Sequence, residues 1–230
     1  MNFLYQTKSL LISSEQDVIN LSKKESASIL VISDSHGSEN NLKIILEHFA
    51  EECDAIVFCG DGIFEFTSLL ENIRKNKKLS KSLSPVIALV RGNGDDNEYA
   101  VDFNLSEDEN AEKNYILEIP DELNFKAAGM NIFVTHGSVY GVNYGFSELE
   151  NKAETEKSDL VLYGHTHIAD RMDNAGTVFI NPGSCSLPRG GFPPSCAVIK
   201  LPGDQEKISC TFYERKVSIT EGISFIPFFI

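Results

Sequence analysis

Positive charge is scarce in this chain. Lys and Arg number 20 against 34 Asp and Glu in 230 residues, giving a formal net charge of -14 and a sequence pI near 4.7. That balance argues against a broad electrostatic footprint on nucleic acid or on an anionic membrane, so neither extended nucleic-acid binding nor membrane association is expected. A phosphate-bearing substrate would have to be attracted locally by bound cations, which reverse the sign that composition suggests. Long apolar runs are missing too: Phe3-Leu4-Tyr5 and Leu10-Leu11-Ile12 are too short for a signal segment or a membrane span. The five cysteines, Cys53, Cys59, Cys185, Cys196 and Cys210, are odd in number and lack C-x-x-C spacing, which points away from a disulfide framework and from a zinc ribbon. Cys59 and Cys196 adjoin apolar runs and read as core fillers, and a reducing cytoplasm is the expected setting. No linker, internal repeat or low-complexity tract divides the chain. One domain over residues 28–230 is expected, with residues 1–27 as an N-terminal appendage whose Leu10, Leu11 and Ile12 form a candidate self-association segment, which leaves a homo-oligomer open.

Three apolar runs stop abruptly at polar turns. Ile29-Leu30-Val31-Ile32 ends at Ser33-Asp34, residues 55–59 end at Gly60-Asp61-Gly62, and residues 86–90 end at Arg91-Gly92-Asn93. Continuous apolar runs of this length fit strands covered on both faces. After the first of them, Leu42, Ile45, Leu46 and Phe49 recur at helical spacing from Ser38 onward, and His48 on that helix reads as a surface or core-edge residue. This is α/β grammar, in which ligands collect at the carboxyl ends of strands. Residues 97–114 read as an acidic solvated loop. Beyond it strands are expected over 115–119, 130–135, 159–163, 177–180, 196–201 and 208–214, with a helix over 146–156.

Four of the five histidines lie in short motifs, Asp34-Ser35-His36, Thr135-His136-Gly137 and Gly164-His165-Thr166-His167, each following an apolar run. Asp34-x-His36 sets a carboxylate and an imidazole on alternate residues of an extended segment, so both can face one crevice. Taken alone it is equally explained as a helix-capping Asp beside a turn histidine. Gly60-Asp61 and Gly92-Asn93 are also ordinary turn pairs. His165 and His167 are harder to explain as packing, because paired imidazoles at a strand end suit ligation of a transition metal.

The ordered set Asp34-Ser35-His36-Gly37, Gly60-Asp61, Arg91-Gly92-Asn93, His136-Gly137, Gly164-His165-Thr166-His167 and Asn181-Pro182-Gly183-Ser184 resembles the calcineurin-like metallophosphoesterase superfamily. The size and phrasing are similar to its small, single-domain YfcE-like phosphodiesterases, over roughly residues 29–214. The resemblance implies a four-layer αββα sandwich, two mixed sheets flanked by helices, with a binuclear centre at the carboxyl ends of the strands. It implies that Asp34, His36 and His167 hold one metal, that Asn93, His136 and His165 hold the other, and that Asp61 bridges them. Two divalent transition metal ions are then expected, with Mn as first choice and Fe, Ni, Co or Zn as alternatives.

The activity so implied is hydrolysis of a small phosphodiester or nucleotide by a metal-bridged hydroxide, with Asp34, Asp61, Asn93 and His136 as the catalytic set. Alternatives on the same fold are a phosphomonoesterase, a dinucleoside-polyphosphate hydrolase, and a non-catalytic scaffold similar to the retromer phosphoesterase-like subunit. Many superfamily members carry a histidine directly after the Asn ligand, where this chain has Gly94. Acid assistance commonly contributes about 10²–10⁴-fold, so slow turnover of unactivated substrates is expected. Asp95 and Asp96 are adjacent candidates for that assistance but read rather as turn residues or as supports behind the ligands; Arg91 reads as an orienting residue, Arg189 as an exposed arginine within reach of a substrate phosphate, and Tyr140, Tyr144 and Phe146 as packing residues rather than a stack for substrate.

Overall fold

The central strands form where the apolar runs are. In a computed structural model describing residues 5–72, 83–102, 115–202, 207–218, 220 and 222–230, β1 (Ala27–Ile32), β2 (Ala55–Phe58) and β3 (Val86–Leu89) pair in parallel. Every residue of β2 and β3 is buried, as expected of strands covered on both faces. Helices α1 (Glu15–Lys23), α2 (Glu39–Phe49), α3 (Ile63–Glu71) and α4 (Ser147–Glu156) surround two main sheets. The remaining strands are β4 (Glu98–Val101), β5 (Tyr115–Glu118), β6 (Glu122–Ala127), β7 (Met130–Thr135), β8 (Leu160–Leu162), β9 (Ala169–Asn174), β10 (Thr177–Pro182), β11 (Ser195–Leu201), β12 (Ser209–Ser218) and β13 (Gly222–Phe228). One sheet runs β13-β12-β11-β1-β2-β3 and the other β6-β7-β8-β10-β9, both mixed, while β4 and β5 form a separate ribbon.

Alternation along the strands assigns each face to a layer. Leu30, Ile32, Ile56, Phe58, Ile87 and Leu89 point to one core shared with Leu42, Ile45 and Leu46 of α2 and Phe66, Leu69 and Leu70 of α3. Their neighbours Ile29, Val31, Val57 and Ala88 point to a second core between the sheets, where Phe125, Ile132, Val134, Leu160, Leu162 and Ile180 meet them. The far face of the second sheet offers Phe133, Val161 and Phe179 to Leu149 and Ala153 of α4. The order is helix, sheet, sheet, helix, as the resemblance implies.

Two expectations are corrected. Residues before β1 are integrated into the fold rather than appended to it. Leu11 and Ile12 are 0% and 1% exposed, Leu11 in the core between the sheets and Ile12 in the helix-facing core. Ile12 also exchanges main-chain hydrogen bonds with Ile87, extending the first sheet beyond β3, so the Leu11 and Ile12 side chains are spent within the chain, while Leu10 is half-buried. Within the acidic stretch, residues 98–101 form β4 against β5, because Tyr99 and Val101 pack on the core while Glu98 and Ala100 are exposed. Residues 103–114 lie outside the described residues. His48 is exposed and lies against the rings of Phe49 and Phe225, at the core edge.

Candidate metal centre

At the carboxyl ends of β1, β2, β7 and β8 the backbone leaves extended geometry. Asp34 (φ 56°), His36 (φ 41°), Asp61 (φ 55°), His165 (φ 67°) and His167 (φ 61°) all adopt left-handed φ. Nine described non-glycine residues do so, and the concentration of five here marks these loops as built for position rather than for local stability. A non-glycine residue loses roughly 1–2 kcal/mol in that conformation, so the surroundings must fix it. They do: Asp34 N donates to Gly60 O at 2.9 Å, His36 N to Asp61 O at 3.1 Å, and Gly164 N to His136 O at 3.0 Å.

The side chains so aimed converge. Asp34, His36 and His167 present ligand atoms all within 4.8 Å of one another, and so do Asp34, Asp61 and His136. His36 Nε2 lies 3.0 Å from His167 Nε2, and His165 Nδ1 lies 3.2 Å from His136 Nε2. Asp61 Oδ2 stands 3.7 Å from His36 Nε2 and 3.5 Å from His136 Nε2, between the two groups. Six of the seven sequence-predicted residues therefore meet. Asn93 is exposed on the turn between Gly92 and Gly94, the glycines whose backbones contact Asp61.

The imidazole tautomers follow from their outer partners. His136 Nδ1 lies 2.7 Å from Cys59 O and His167 Nδ1 lies 2.7 Å from Leu187 O. A carbonyl only accepts, so in each neutral ring the proton is on Nδ1 and a lone pair on Nε2 faces the site. Lone pairs brought this close repel unless a proton or a cation lies among them. Asp34 Oδ1 is buried and accepts no hydrogen bond among the described residues, with His167 Nε2 at 3.2 Å and His36 Nε2 at 3.7 Å. A buried orphan carboxylate oxygen amid imidazole lone pairs fits a metal ion.

The electrostatics agree. Burial opposes the charge on Asp34, but the His167 and His36 imidazoles beside it hold its carboxyl well below the usual carboxylate range. Asp61 is held low in the same way, burial being outweighed by His136 and by the Gly94 amide. Asp34 raises His36 above the ordinary imidazole value, burial opposing. Burial pushes His136 down, yet Asp61 and Asp34 more than offset it. His165 is lowered, chiefly by burial and then by His136. Both carboxylates are thus ionised near neutral pH, with positive charge favoured between them.

Several residues that hold the site carry no signal in the sequence beyond that of a loop. Asn181 Nδ2 donates to Gly164 O at 2.7 Å and to Thr166 Oγ1 at 3.0 Å, bracing the loop that carries His165 and His167. Ser184 Oγ donates to Asp34 O at 2.7 Å, and Ser186 Oγ to Ser35 O at 2.8 Å. Arg189 is exposed, its amide donating to His167 O at 3.0 Å. Arg91 pairs with Asp121 at 2.9 Å, so it steadies the turn after β3 rather than a site carboxylate. Tyr140 and Phe146 pack against the core beside α4, whereas Tyr144 is 97% exposed and is no packing residue.

Comparison with known proteins places this geometry. Residues 28–204 match the calcineurin-like phosphoesterase superfamily domain. The probable metallophosphoesterase YsnB of Bacillus subtilis is 32% identical over 187 residues, 81% of this chain and 90% of that protein. Phosphodiesterase MJ0936 of Methanocaldococcus jannaschii is 28% identical over 172 residues, 71% of this chain and 87% of that one. Among solved structures, a predicted phosphoesterase from Streptococcus pneumoniae superposes with a TM-score of 0.60 at 23% identity, covering 88% of this chain and 98% of that one. With its His and Asp groups implying divalent metal ions, the chain belongs to the calcineurin-like phosphoesterase superfamily and to its branch of small phosphodiesterases, hydrolases of phosphoester bonds.

Proposed function

We propose that this protein is a binuclear metal-dependent phosphodiesterase of the cytoplasm, acting on small phosphodiesters or nucleotides, with manganese as its metal. The observation that carries this reading is the convergence of Asp34, His36, Asp61, His136, His165 and His167 around the partnerless Oδ1 of Asp34. Asp34, His36 and His167 would hold one cation, His136, His165 and Asn93 the other, with Asp61 shared. Two divalent cations so held would supply an activated water nucleophile and neutralise charge on the phosphoryl oxygens.

The chain's own part is to keep that site charged and fixed. Asp34 and Asp61 stay ionised, and His136 and His167 keep Nε2 unprotonated toward the site through their Nδ1 donations to Cys59 and Leu187. Asp61, His136 and Asn93 would act on the ester through the cations they hold, with Asn93 at the exposed rim of the site. No side-chain acid stands at Gly94 to protonate the departing oxygen, which favours esters whose leaving group needs little help.

The test is hydrolysis of bis(p-nitrophenyl) phosphate by chelator-stripped protein before and after addition of Mn²⁺, alongside monoester and anhydride substrates. Metal-dependent turnover with the diester preferred is the expected result. Absence of metal-dependent hydrolysis on every substrate overturns the reading, and a tenfold preference for a monoester overturns the choice of diester.

A further inference from the structure

One carboxylate gathers four main-chain amides from the two loops at the ends of β2 and β3. Asp95 Oδ2 accepts the amides of Asp61 at 2.7 Å and Gly92 at 2.9 Å, and Oδ1 accepts those of Gly62 at 3.0 Å and Ile63 at 2.9 Å. The loops are pressed together beneath it, since a Cβ on Gly60 would fall 2.5 Å from Gly92 N and one on Gly92 would fall 2.1 Å from Asp61 Oδ1. Asp61 is held on its other side as well, Gly94 N donating to its Oδ1 at 2.8 Å. That bond occupies one carboxylate oxygen and leaves Oδ2 directed at His136 and His36.

We infer that Asp95 is a positioning residue that sets Asp61 against the Asn93 turn and thereby determines affinity for the second cation. The inference rests on the metal assignment proposed above. Four charge-assisted hydrogen bonds on one carboxylate define the separation of the two loops far better than the loops could themselves. The Asp34 carbonyl, the loop carrying His167 and the His167 ring are braced from elsewhere, by Ser184, Asn181 and Leu187, so the first cation keeps these supports when Asp95 is altered, whereas His36, whose amide bonds Asp61 O, and Asp61 itself are tied to the loop that Asp95 holds. A plain cap of α3 would instead raise stability without distinguishing one cation from the other.

The discriminating variant is Asp95→Asn, which has the same shape but turns an amide group toward two of the four N–H donors whichever way it is oriented. Elemental analysis and Mn²⁺ titration of chelator-stripped protein should find two cations on the wild type. On the variant one cation should bind with near wild-type affinity and the second at least about tenfold more weakly, a typical effect of losing an orienting partner. Asp95→Glu keeps the charge and both oxygens, so it serves if the first variant does not fold, and it should give the same selective loss. Two cations bound at unchanged affinity, or both weakened equally, overturn the inference while the proposed activity stands. A wild type that takes up no cation overturns the metal assignment and this inference with it.

Discussion

His167 Nε2 stands 3.2 Å from Asp34 Oδ1, while its Nδ1 is fixed by Leu187 O at 2.7 Å. One ring nitrogen is therefore committed to holding the imidazole and the other to serving the site. Under the proposed assignment, removing the ring takes away a donor of one cation and leaves Asp34 Oδ1 with His36 as its imidazole neighbour. His167→Ala should weaken metal affinity by at least about 100-fold, the upper end of what loss of a mere orienting partner costs. Titration of the chelator-stripped variant checks this, and retention of two cations at wild-type affinity would contradict it.

Gly164 tests how tightly the same corner is packed. A Cβ there would lie 2.0 Å from Ser33 Oγ and 2.9 Å from Asp34 Oδ2, and the second of these atoms accepts the His165 amide at 3.2 Å. Gly164→Ala must push Ser33 and the Asp34 carboxylate aside. We expect a loss of about 1–3 kcal/mol, the usual cost of overpacking, together with lower metal occupancy. Thermal melts with and without Mn²⁺ measure both effects, and an unchanged metal-induced shift would show that Asp34 tolerates the displacement.

The stability of the metal-free protein and the stabilisation gained on adding metal should depend on pH with opposite signs. His36 and His136 are held above the ordinary value of 6.5. A raised folded pKa gives stabilisation that is fully present below the unfolded value and is lost as pH rises through the folded one. His165 is lowered and works in the opposite direction, leaving two groups against one. Asp34 and Asp61 are lowered, so their contribution is lost only well below neutrality. Metal-free protein should therefore melt at a lower temperature near pH 8 than near pH 6, whereas the stabilisation gained on adding Mn²⁺ should grow with pH, since ligation requires neutral imidazole. Paired melting curves at the two pH values test this, and parallel curves would contradict it.

The positions of these histidines were legible because each follows a run of apolar residues, and only a strand covered on both faces supports such a run. Asp34, Asp61 and His165 could thus be placed at strand ends from order alone. Their left-handed backbones could not, since nothing in Asp-Ser-His or His-Thr-His specifies φ. Asp95 was legible as a turn or supporting residue but not by its partners: these include Asp61, 34 residues earlier, and such bonds leave no local pattern. β6 carries a readable alternation, with Leu123, Phe125 and Ala127 inward and Asn124 and Lys126 outward, but its signal is weaker than that of its more apolar neighbour β7. Helix α1 was hidden by composition. It buries only Leu21, although Ser14 caps it by accepting the Asp17 amide at 3.0 Å.

That hidden segment yields the last prediction. Leu11 is 0% exposed between the sheets, and its carbonyl accepts the Thr7 amide at 2.8 Å, which closes the turn that delivers Ile12 to Ile87. Truncating a buried leucine removes transfer free energy and leaves a cavity, for a typical cost of about 2–5 kcal/mol. In a domain of this size that corresponds to a melting temperature lower by about 4–20 °C. Ile19→Ala, at a position 44% exposed on α1, should cost no more than about 0.5 kcal/mol. Both variants should still bind two cations when folded, because neither side chain lies in the metal site. If Leu11→Ala melted with the wild type and instead changed the solution mass, the segment would be an oligomer contact rather than part of the core, and its burial between the sheets would need another explanation.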